Sequence, residues 1–250
     1  MKILGIIPAR YASTRFPGKP LADLRGVSMI ERVYRQAKSA SSLSKIVVAT
    51  EHAGIYDHVT GFGGYACMTS ENHPSGTDRC FEALTKEKES FDYVINIQGD
   101  EPFIEPGQID LLVSYLDGNT QLATLIKKID TYEQLNSNSE VKVTFNTRNE
   151  ALYFSRAVIP FVQKVDPGKW LDHFEFYKHV GMYAYRTDIL KEITKLEMSP
   201  LEKVESLEQL RWVENGYTIK VVKTTVETMC VDTPEELEIA KEILGGRVSY

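Results

Sequence analysis

An apolar segment that runs directly into a positively charged loop, GIIPARYASTRFPGKPL from Gly5 to Leu21, most constrains how this chain folds. The apolar residues of Ile3–Ile7 predict a buried parallel strand that ends at Pro8. In open α/β folds, the loops that leave the carboxyl ends of parallel strands line the ligand crevice. We therefore expect an α/β fold in which this first loop forms one wall of a binding site.

The loop carries three positive charges, on Arg10, Arg15 and Lys19, which indicate an anionic ligand. Guanidinium groups match phosphate oxygens in paired hydrogen bonds, and a lysine acts as a point charge, so a polyphosphate fits this loop. Gly18 permits a close backbone approach. The loop is not a P-loop, because a proline follows Lys19, and no GxGxxG motif is present. The charge count alone leaves open a second interpretation, a solvated basic loop.

Composition narrows the class of protein. The chain has 250 residues with 42% apolar content, enough for one large core with or without a modest extra lobe. Its net charge of −6 disfavours nucleic acid as a partner, so the basic loop is a local feature. No run of residues is long and apolar enough for a membrane span, and we expect a cytoplasmic protein. Cys67, Cys80 and Cys230 form no disulfide or metal-binding pattern, and we expect them to be reduced and mostly in the core.

Strand-like and helix-like segments alternate along most of the chain, which predicts a parallel sheet covered by helices on both faces. Strands are predicted at 3–7, 45–49, 65–68, 93–97 and 218–222, and helices at 28–40, 52–60, from 77, at 201–212 and from 234. Between about 122 and 185 the pattern changes to several strand-like pieces. We interpret that segment as an insertion in a single domain that spans 1–250.

The segment NIQGDEPFI, Asn96 to Ile104, follows a buried strand and places Gln98 and Asp100 at the edge of the sheet that carries the basic loop. A carboxylate beside bound phosphates requires a cation between them, and hard oxygen ligands favour Mg²⁺. Asp100 is therefore the best candidate for a metal ligand. An aspartate that only caps the turn is the alternative for this residue.

The chain also resembles a known family over nearly its whole length. The segments that carry the resemblance are PARYASTRFPGKPL, HPSGTDR, NIQGDEPFI, YFSRAVIP with KHVGMYAYR, PLEKVESLEQLR and CVDTPEEL, in the order of the family. Together they are similar to the sugar-acid cytidylyltransferases and, more narrowly, to the 3-deoxy-manno-octulosonate (KDO) cytidylyltransferases. The resemblance implies a Rossmann-like nucleotidyltransferase sheet, mostly parallel, in which the insertion forms a sugar-binding and dimerisation lobe. It also implies a homodimer.

The resemblance further implies which residues bind the nucleotide and a magnesium ion. The matching nucleotide positions are Arg10, Arg15, Lys19, Ser75, Gly76, Thr77, Arg79 and Gln98. Asp232 would join Asp100 in holding Mg²⁺, and these two acids with the three loop cations would be the catalytic set. The sequence agrees, because Thr233 and Glu236 already form a capping box and leave Asp232 available. From pattern alone, Ser75 or Thr77 as a plain N-cap and Asp232 as a helix-terminal acid remain open.

For the sugar, the resemblance implies Gln98, Arg156, His179, Tyr183, Glu202, Glu205 and Gln209. The last three residues are spaced by three and four positions, which predicts that they share one face of a helix. A solvated polar helix face is the alternative for this group, and a structural histidine is the alternative for His179.

The function that the resemblance implies is transfer of a cytidylyl group from CTP to KDO, giving CMP-KDO and pyrophosphate for lipopolysaccharide biosynthesis. The sequence assigns no general base. A CMP-sialic acid synthetase and a non-catalytic CTP-binding module are the alternative functions.

Overall fold

The computed structural model describes residues 1–12 and 15–246, and the chain divides into two compact units. The first unit comprises residues 1–110 together with the segment from residue 227 onward, and the second comprises residues 111–226. The predicted insertion at about 122–185 lies within the second unit, which extends beyond it on both sides. Among the described residues, no helix combines the length and the apolar character that crossing a bilayer requires.

The first unit is built on four parallel strands, which confirms the predicted parallel pairing. They are β1 (Ile3–Pro8), β2 (Lys45–Thr50), β3 (Ala66–Met68) and β4 (Tyr93–Asn96), in the spatial order β3-β2-β1-β4. In the central strand, Ile6 is aligned with Val47 on one side and with Asn96 on the other. Nearly every residue of β1, β2 and β4 is buried, as expected for strands covered on both faces.

Helices connect these strands. They are α1 (Met29–Lys38), α2 (Ala53–Gly61) and α3 (Gly76–Thr85), followed by α4 (Pro106–Ser114) at the passage to the second unit. Ser28 caps α1 by accepting a hydrogen bond from the Glu31 N–H at 3.3 Å, at the helix start that the sequence predicts. The alternation of strand and helix brings the loops after β1, β3 and β4 to the carboxyl ends of the strands.

The second unit contains strands with mixed directions and several short helices. Its elements are β5 (Leu122–Lys128), α5 (Tyr132–Asn136), β6 (Lys142–Phe145), β7 (Ala151–Ser155), α6 (Trp170–His173), β8 (Tyr177–Arg186), α7 (Thr187–Ile193), α8 (Pro200–Glu205), α9 (Gln209–Glu214) and β9 (Ile219–Thr224). β5 pairs with β8 in antiparallel and with β9 in parallel orientation, and β6 pairs with β7 as an antiparallel hairpin. The strand-like pieces predicted here are confirmed.

The chain then returns to the first unit and ends its described part with α10 (Pro234–Leu244). This helix packs through Leu237 and Ala240 against Leu24, Met29 and Val231 in one buried cluster. The cluster fixes the segment that precedes α10 against the region that follows the basic loop.

Two expectations about individual segments are wrong. The helix predicted at 201–212 is interrupted, because Ser206 adopts a left-handed conformation with φ 54° and separates α8 from α9. The cysteines are not mostly in the core, since Cys80 is buried but Cys67 is partly exposed and Cys230 is exposed.

Candidate active site

The basic loop after β1 presents its three cations at different depths. Gly18 has a φ of 72°, a left-handed conformation that glycine adopts without strain, and it turns the chain into a 3-10 turn that begins at Lys19. The Lys19 side chain is only 14% exposed, whereas that of Arg15 is 68% exposed. Arg10 is exposed. Lys19 is thus part of the packed wall, and the two arginines reach into solvent.

Two aspartates from distant parts of the sequence meet beside this loop. The Val231 N–H donates to the carbonyl oxygen of Asp100 at 2.9 Å, which holds the segment before α10 next to the loop after β4. A capping box at the start of α10, formed by Thr233 and Glu236, is present as predicted. The Asp232 N–H donates to the Glu236 carboxylate at 2.6 Å, which fixes the backbone of Asp232 and leaves its side chain to face the loop.

Lys19 forms an ion pair with each of these aspartates. Its Nζ lies 2.7 Å from Asp100 Oδ2 and 2.8 Å from Asp232 Oδ1, and Arg15 contacts the other oxygen of Asp232 at 3.0 Å. Burial alone would lower the pKa of Lys19, but the charges and hydrogen bonds of the two carboxylates outweigh it and raise the pKa. Burial would likewise raise the pKa of Asp232, but Lys19 and Arg15 hold it below its ordinary value. Lys19 and Asp232 are therefore charged at neutral pH.

The same acids have the chemistry that Mg²⁺ requires. Single ligand atoms of Asp100, Cys230 and Asp232 lie within 4.8 Å of one another. Mg²⁺ prefers oxygen ligands and is commonly held by one or two protein carboxylates together with substrate phosphates. Asp100 and Asp232 therefore fit this ion, and the thiol of Cys230 is a soft neighbour that Mg²⁺ does not favour. In the structure, Lys19 supplies the positive charge between the two carboxylates.

The loop after β4 approaches the end of β1 closely. A Cβ atom at position 99 would lie 3.0 Å from the carbonyl oxygen of Pro8, so Gly99 is the residue that this contact accommodates. The close approach places Gln98 and Asp100 beside the start of the basic loop, at the sheet edge where the sequence predicts them.

The segment His73–Arg79 forms the opposite side of the site, at the start of α3. The Ser75 hydroxyl caps this helix, because it accepts from the Asp78 N–H at 3.2 Å and donates to the Asp78 carboxylate at 2.6 Å. The N-cap alternative is therefore correct for the Ser75 side chain. Thr77 is only 3% exposed and is buried in the helix. Ser75 and Gly76 line the cleft at the start of α3.

These segments enclose a cleft of about 300 Å³ within the first unit. Its volume is at the lower end of the range for small-molecule sites. The lining includes most of the predicted nucleotide and metal positions, namely Arg10, Arg15, Lys19, Ser75, Gly76, Arg79, Gln98, Asp100 and Asp232. Thr77 is the predicted nucleotide position that does not line it.

In the second unit, Arg156 and Glu205 lie together. The Arg156 Nε donates to the carbonyl oxygen of Glu205 at 2.9 Å, and the Arg156 N–H donates to the Glu205 carboxylate at 2.9 Å. That carboxylate also accepts from the Ser155 hydroxyl at 2.6 Å. Burial would raise the pKa of Glu205, but the hydrogen bonds from Arg156 and Ser155 lower it. Both predicted sugar-binding residues thus take part in one internal network.

His179 and Tyr183 also lie close together, on β8, with ring centroids 5.1 Å apart. The His179 Nε2 is 3.0 Å from the hydroxyl of Thr124, and burial lowers the histidine pKa to about 4. His179 is therefore neutral at pH 7. Burial also raises the pKa of Tyr183 well above its ordinary value, so its hydroxyl keeps its proton.

Glu202, Glu205 and Gln209 do not share one helix face, contrary to the prediction. The break at Ser206 places Gln209 in α9, whereas the two glutamates belong to α8. The solvated-face alternative is wrong as well, because Glu202 and Gln209 are 6% and 5% exposed. Glu202 pairs with Arg211 through both carboxylate oxygens, at 2.6 and 2.7 Å.

Comparison with known proteins now places the chain. The sequence model of the cytidylyltransferase family matches residues 4–241. The chain belongs to this cytidylyltransferase family. The resemblance recognised in the sequence is thereby confirmed.

Curated relatives of this cytidylyltransferase carry a narrower name. A 3-deoxy-manno-octulosonate cytidylyltransferase of Parabacteroides distasonis is 54% identical, over 99% of this chain and 100% of the relative. Another, of Cytophaga hutchinsonii, is 52% identical over 95% of each chain. A solved structure of CMP:2-keto-3-deoxy-manno-octonic acid synthetase complexed with CTP has a TM-score of 0.91 and 39% identity, and covers 99% of this chain and 100% of that one. The predicted α/β nucleotidyltransferase fold is confirmed by this likeness.

Sequence reasoning about this cytidylyltransferase missed three residues at or beside the cleft. His73 lines it, and Cys230 lies beside the two aspartates. Glu51, at the end of β2, pairs with Arg79 at 2.9 Å. The position of Glu51 directly after a buried strand was the signal available in the sequence, because side chains at carboxyl ends of parallel strands tend to meet.

Proposed function

We propose that this protein transfers a cytidylyl group from CTP to 3-deoxy-manno-octulosonate, giving CMP-KDO and pyrophosphate for lipopolysaccharide biosynthesis. The observation that carries the proposal is the pairing of Lys19 and Arg15 with two aspartates, in a cleft that Arg10 also lines, in a chain that belongs to the cytidylyltransferase family. The names of relatives more than half identical over nearly the whole chain support KDO as the acceptor.

The reaction forms one bond and breaks another at the α-phosphorus of CTP. The anomeric hydroxyl of KDO attacks this phosphorus and loses its proton, and the bond from the α-phosphorus to the bridging oxygen of the β-phosphate breaks. Negative charge accumulates on the departing pyrophosphate. Arg10, Arg15 and Lys19 supply positive charge in the cleft where phosphates would lie, so their contribution is positioning and electrostatic stabilisation.

Asp100 and Asp232 would hold Mg²⁺ in the working enzyme. When bound, the ion lowers the pKa of an attacking hydroxyl and neutralises charge on the phosphates. Lys19, which contacts both carboxylates, would then be able to contact phosphate oxygens instead. Asp232→Asn keeps the shape of the side chain but removes one anionic ligand, so its half-maximal Mg²⁺ concentration should rise and its turnover should fall by a large factor.

The Mg²⁺ proposal has a clear contrary outcome. If Asp232→Asn melts at a much lower temperature than the wild type but keeps the wild-type Mg²⁺ dependence, Asp232 is a structural residue of the α10 terminus. Asp100→Asn should match Asp232→Asn, and the double variant should be little worse than either, because losing one ligand already misplaces the ion.

The sugar-recognition residues of the proposal are Gln98, Arg156, His179, Tyr183, Glu202, Glu205 and Gln209. In the second unit, Glu202 and Glu205 act by holding Arg211 and Arg156, since their carboxylates are engaged there. We also propose a homodimer in the cytoplasm.

Pyrophosphate release tests the function directly. The purified protein is incubated with Mg²⁺, each of CTP and UTP, and each of KDO and N-acetylneuraminate, and the nucleotide-sugar product is identified by mass spectrometry. We expect the fastest pyrophosphate release with CTP and KDO, and we expect CMP-KDO as the product. A nucleotide-sugar product that forms with N-acetylneuraminate but not with KDO would favour a CMP-sialic acid synthetase. Binding of CTP without any release of pyrophosphate would favour a non-catalytic module.

A further inference from the structure

Glu51, at the carboxyl end of β2, touches both sides of the nucleotide cleft without lining the cleft itself. One carboxylate oxygen accepts a hydrogen bond from the Tyr11 N–H at 2.7 Å, within the basic loop. The other oxygen lies 2.9 Å from the guanidinium of Arg79, in the first turns of α3. The Glu51 side chain is only 15% exposed, so the two contacts are largely sheltered from water.

Tyr11 is held at three points. Besides the bond from its N–H to Glu51, its carbonyl oxygen accepts from the Gly18 N–H at 2.9 Å. Its ring stacks on that of His52, with centroids 4.0 Å apart and 13° between the planes. Since Tyr11 follows Arg10 and Gly18 precedes Lys19, the position of Tyr11 sets the spacing of these two phosphate-facing cations.

Arg79 is the partner on the other side. Its side chain is 5% exposed, and its guanidinium also donates to the Thr69 hydroxyl at 2.6 Å. A guanidinium so deeply buried needs a counter-charge, because an unpaired buried charge is strongly unfavourable. Glu51 supplies that charge and thereby fixes the start of α3, where Ser75 and Gly76 line the cleft.

We infer that Glu51 is a positioning residue that couples the phosphate-binding loop to the base-binding segment of the cleft, acting through Tyr11 and Arg79. This inference rests on the proposed function, which assigns phosphate to the basic loop and cytosine to the start of α3. An uncharged side chain of the same shape as Glu51 cannot serve both of its partners. A glutamine at position 51 has a single acceptor oxygen and would turn its amide donor toward either the Tyr11 N–H or the Arg79 guanidinium.

The experiment measures the two half-sites separately by calorimetry, with pyrophosphate as the probe of the basic loop and CMP as the probe of the base-binding segment. Wild type, Glu51→Gln and Glu51→Asp are compared at one fixed Mg²⁺ concentration. Glu87→Gln is the matched control, because Glu87 is similarly buried, with 12% exposure, and pairs with Lys45 at 2.6 Å outside the cleft.

We expect Glu51→Gln to weaken the binding of both probes by about tenfold, because the amide keeps at most one of the two contacts and no longer holds the basic loop and the start of α3 to each other. Glu51→Asp keeps the charge but is too short to reach both partners, so it should weaken at least one probe, and Glu87→Gln should weaken neither. The ratio of kcat/KM for CTP over UTP should fall in Glu51→Gln, which a general loss of stability does not produce.

Three results would overturn the coupling. The first is that Glu51→Gln weakens the binding of only one probe. The second is that Glu51→Gln melts normally and binds both probes as the wild type does. The third is that Glu87→Gln weakens the binding of the probes as much as Glu51→Gln does. If Glu51→Gln does not fold, the coupling would also be overturned by a Glu51→Asp variant that binds both probes with wild-type affinity. A wild-type protein that binds both probes but releases no pyrophosphate from CTP and KDO contradicts the proposed function and leaves the coupling measurable.

Discussion

Replacing Lys19 by methionine should separate metal binding from turnover. Methionine retains much of the apolar stem of lysine but removes the charge that contacts Asp100 and Asp232 at 2.7 and 2.8 Å. The two carboxylates would then repel each other, and among the described residues the exposed Arg15, 3.0 Å from Asp232, would remain as the ion-pair partner.

The structural cost follows from the exposure of the three side chains, which is 14% for Lys19, 24% for Asp100 and 31% for Asp232. Surface ion pairs contribute about 0–1 kcal/mol, and removing one partner from a fully buried pair costs about 3–5 kcal/mol. Lys19 lies between these limits, so Lys19→Met should lower the free energy of unfolding by about 1–3 kcal/mol. For a chain of this size, that loss lowers the melting temperature by roughly 2–12 °C.

The assay follows the melting temperature as Mg²⁺ is added in the absence of nucleotide. In Lys19→Met the two carboxylates attract the cation more strongly, so Mg²⁺ should raise the melting temperature more than in the wild type. Turnover with CTP and KDO should nevertheless fall by roughly tenfold or more, because a charge that stabilises the leaving group is lost. Lys45→Met removes the partner of Glu87 instead and is the control for losing a lysine outside the cleft.

Two results would refute this reasoning. If Mg²⁺ stabilises Lys19→Met no more than the wild type, Lys19 does not compete with a cation for the aspartates. If turnover stays normal, the lysine only neutralises the acids and has no role toward phosphate.

Three further predictions concern pH, a buried ion pair and base choice. In the folded protein the pKa of His179 is about 4, against an ordinary value of 6.5, so the folded state binds fewer protons than the unfolded state between these pH values. The free energy of unfolding of the wild type should therefore fall by up to roughly 3 kcal/mol as the pH drops from 6.5 to 4. Urea unfolding of His179→Gln should lack this component and match the wild-type pH dependence only above pH 7. Arg211→Met leaves the buried Glu202 without its arginine partner and should lower the free energy of unfolding, measured in urea, by about 3–5 kcal/mol. Adding Glu202→Met should recover part of that loss. If the losses of the two single variants simply add in the double variant, the pairing is contradicted. Steady-state kinetics should show at least about a tenfold preference for CTP over UTP, because a mismatched base edge leaves a polar group of the cleft unpaired; equal kcat/KM values would remove the cytosine assignment.

Local sequence patterns were sufficient to predict much of the structure of the first unit. The apolar run before Pro8, the capping box at Thr233 and the placement of Asp100 after a strand depend on neighbouring residues, and the structure shows each of them. The cations of the basic loop were equally visible. Their partners were not, because Lys19 and Asp232 are 213 positions apart and no local pattern connects them.

The helix predicted at 201–212 shows why other features could not be inferred. Its polar residues have helical spacing, and nothing in the sequence marks Ser206 as left-handed, since no glycine is present there. The bidentate ion pair of Glu202 with Arg211, nine positions away, forms in the structure in which α8 and α9 are separate helices. Tertiary contacts of this kind override local propensity.

The hydrogen bond from the Val231 N–H to the Asp100 carbonyl also bears on the order of synthesis. A nascent chain that has emerged only through residue 226 contains the whole basic loop and the first aspartate, but it lacks the strap from residue 227 onward that completes the first unit. Asp100 and Lys19 then lack the carboxylate of Asp232 beside them, so the ribosome-bound chain cannot form the group of one lysine and two aspartates. The pairing of Lys19 with both aspartates is therefore completed late in synthesis, and it depends on a contact that closes a loop of more than a hundred residues.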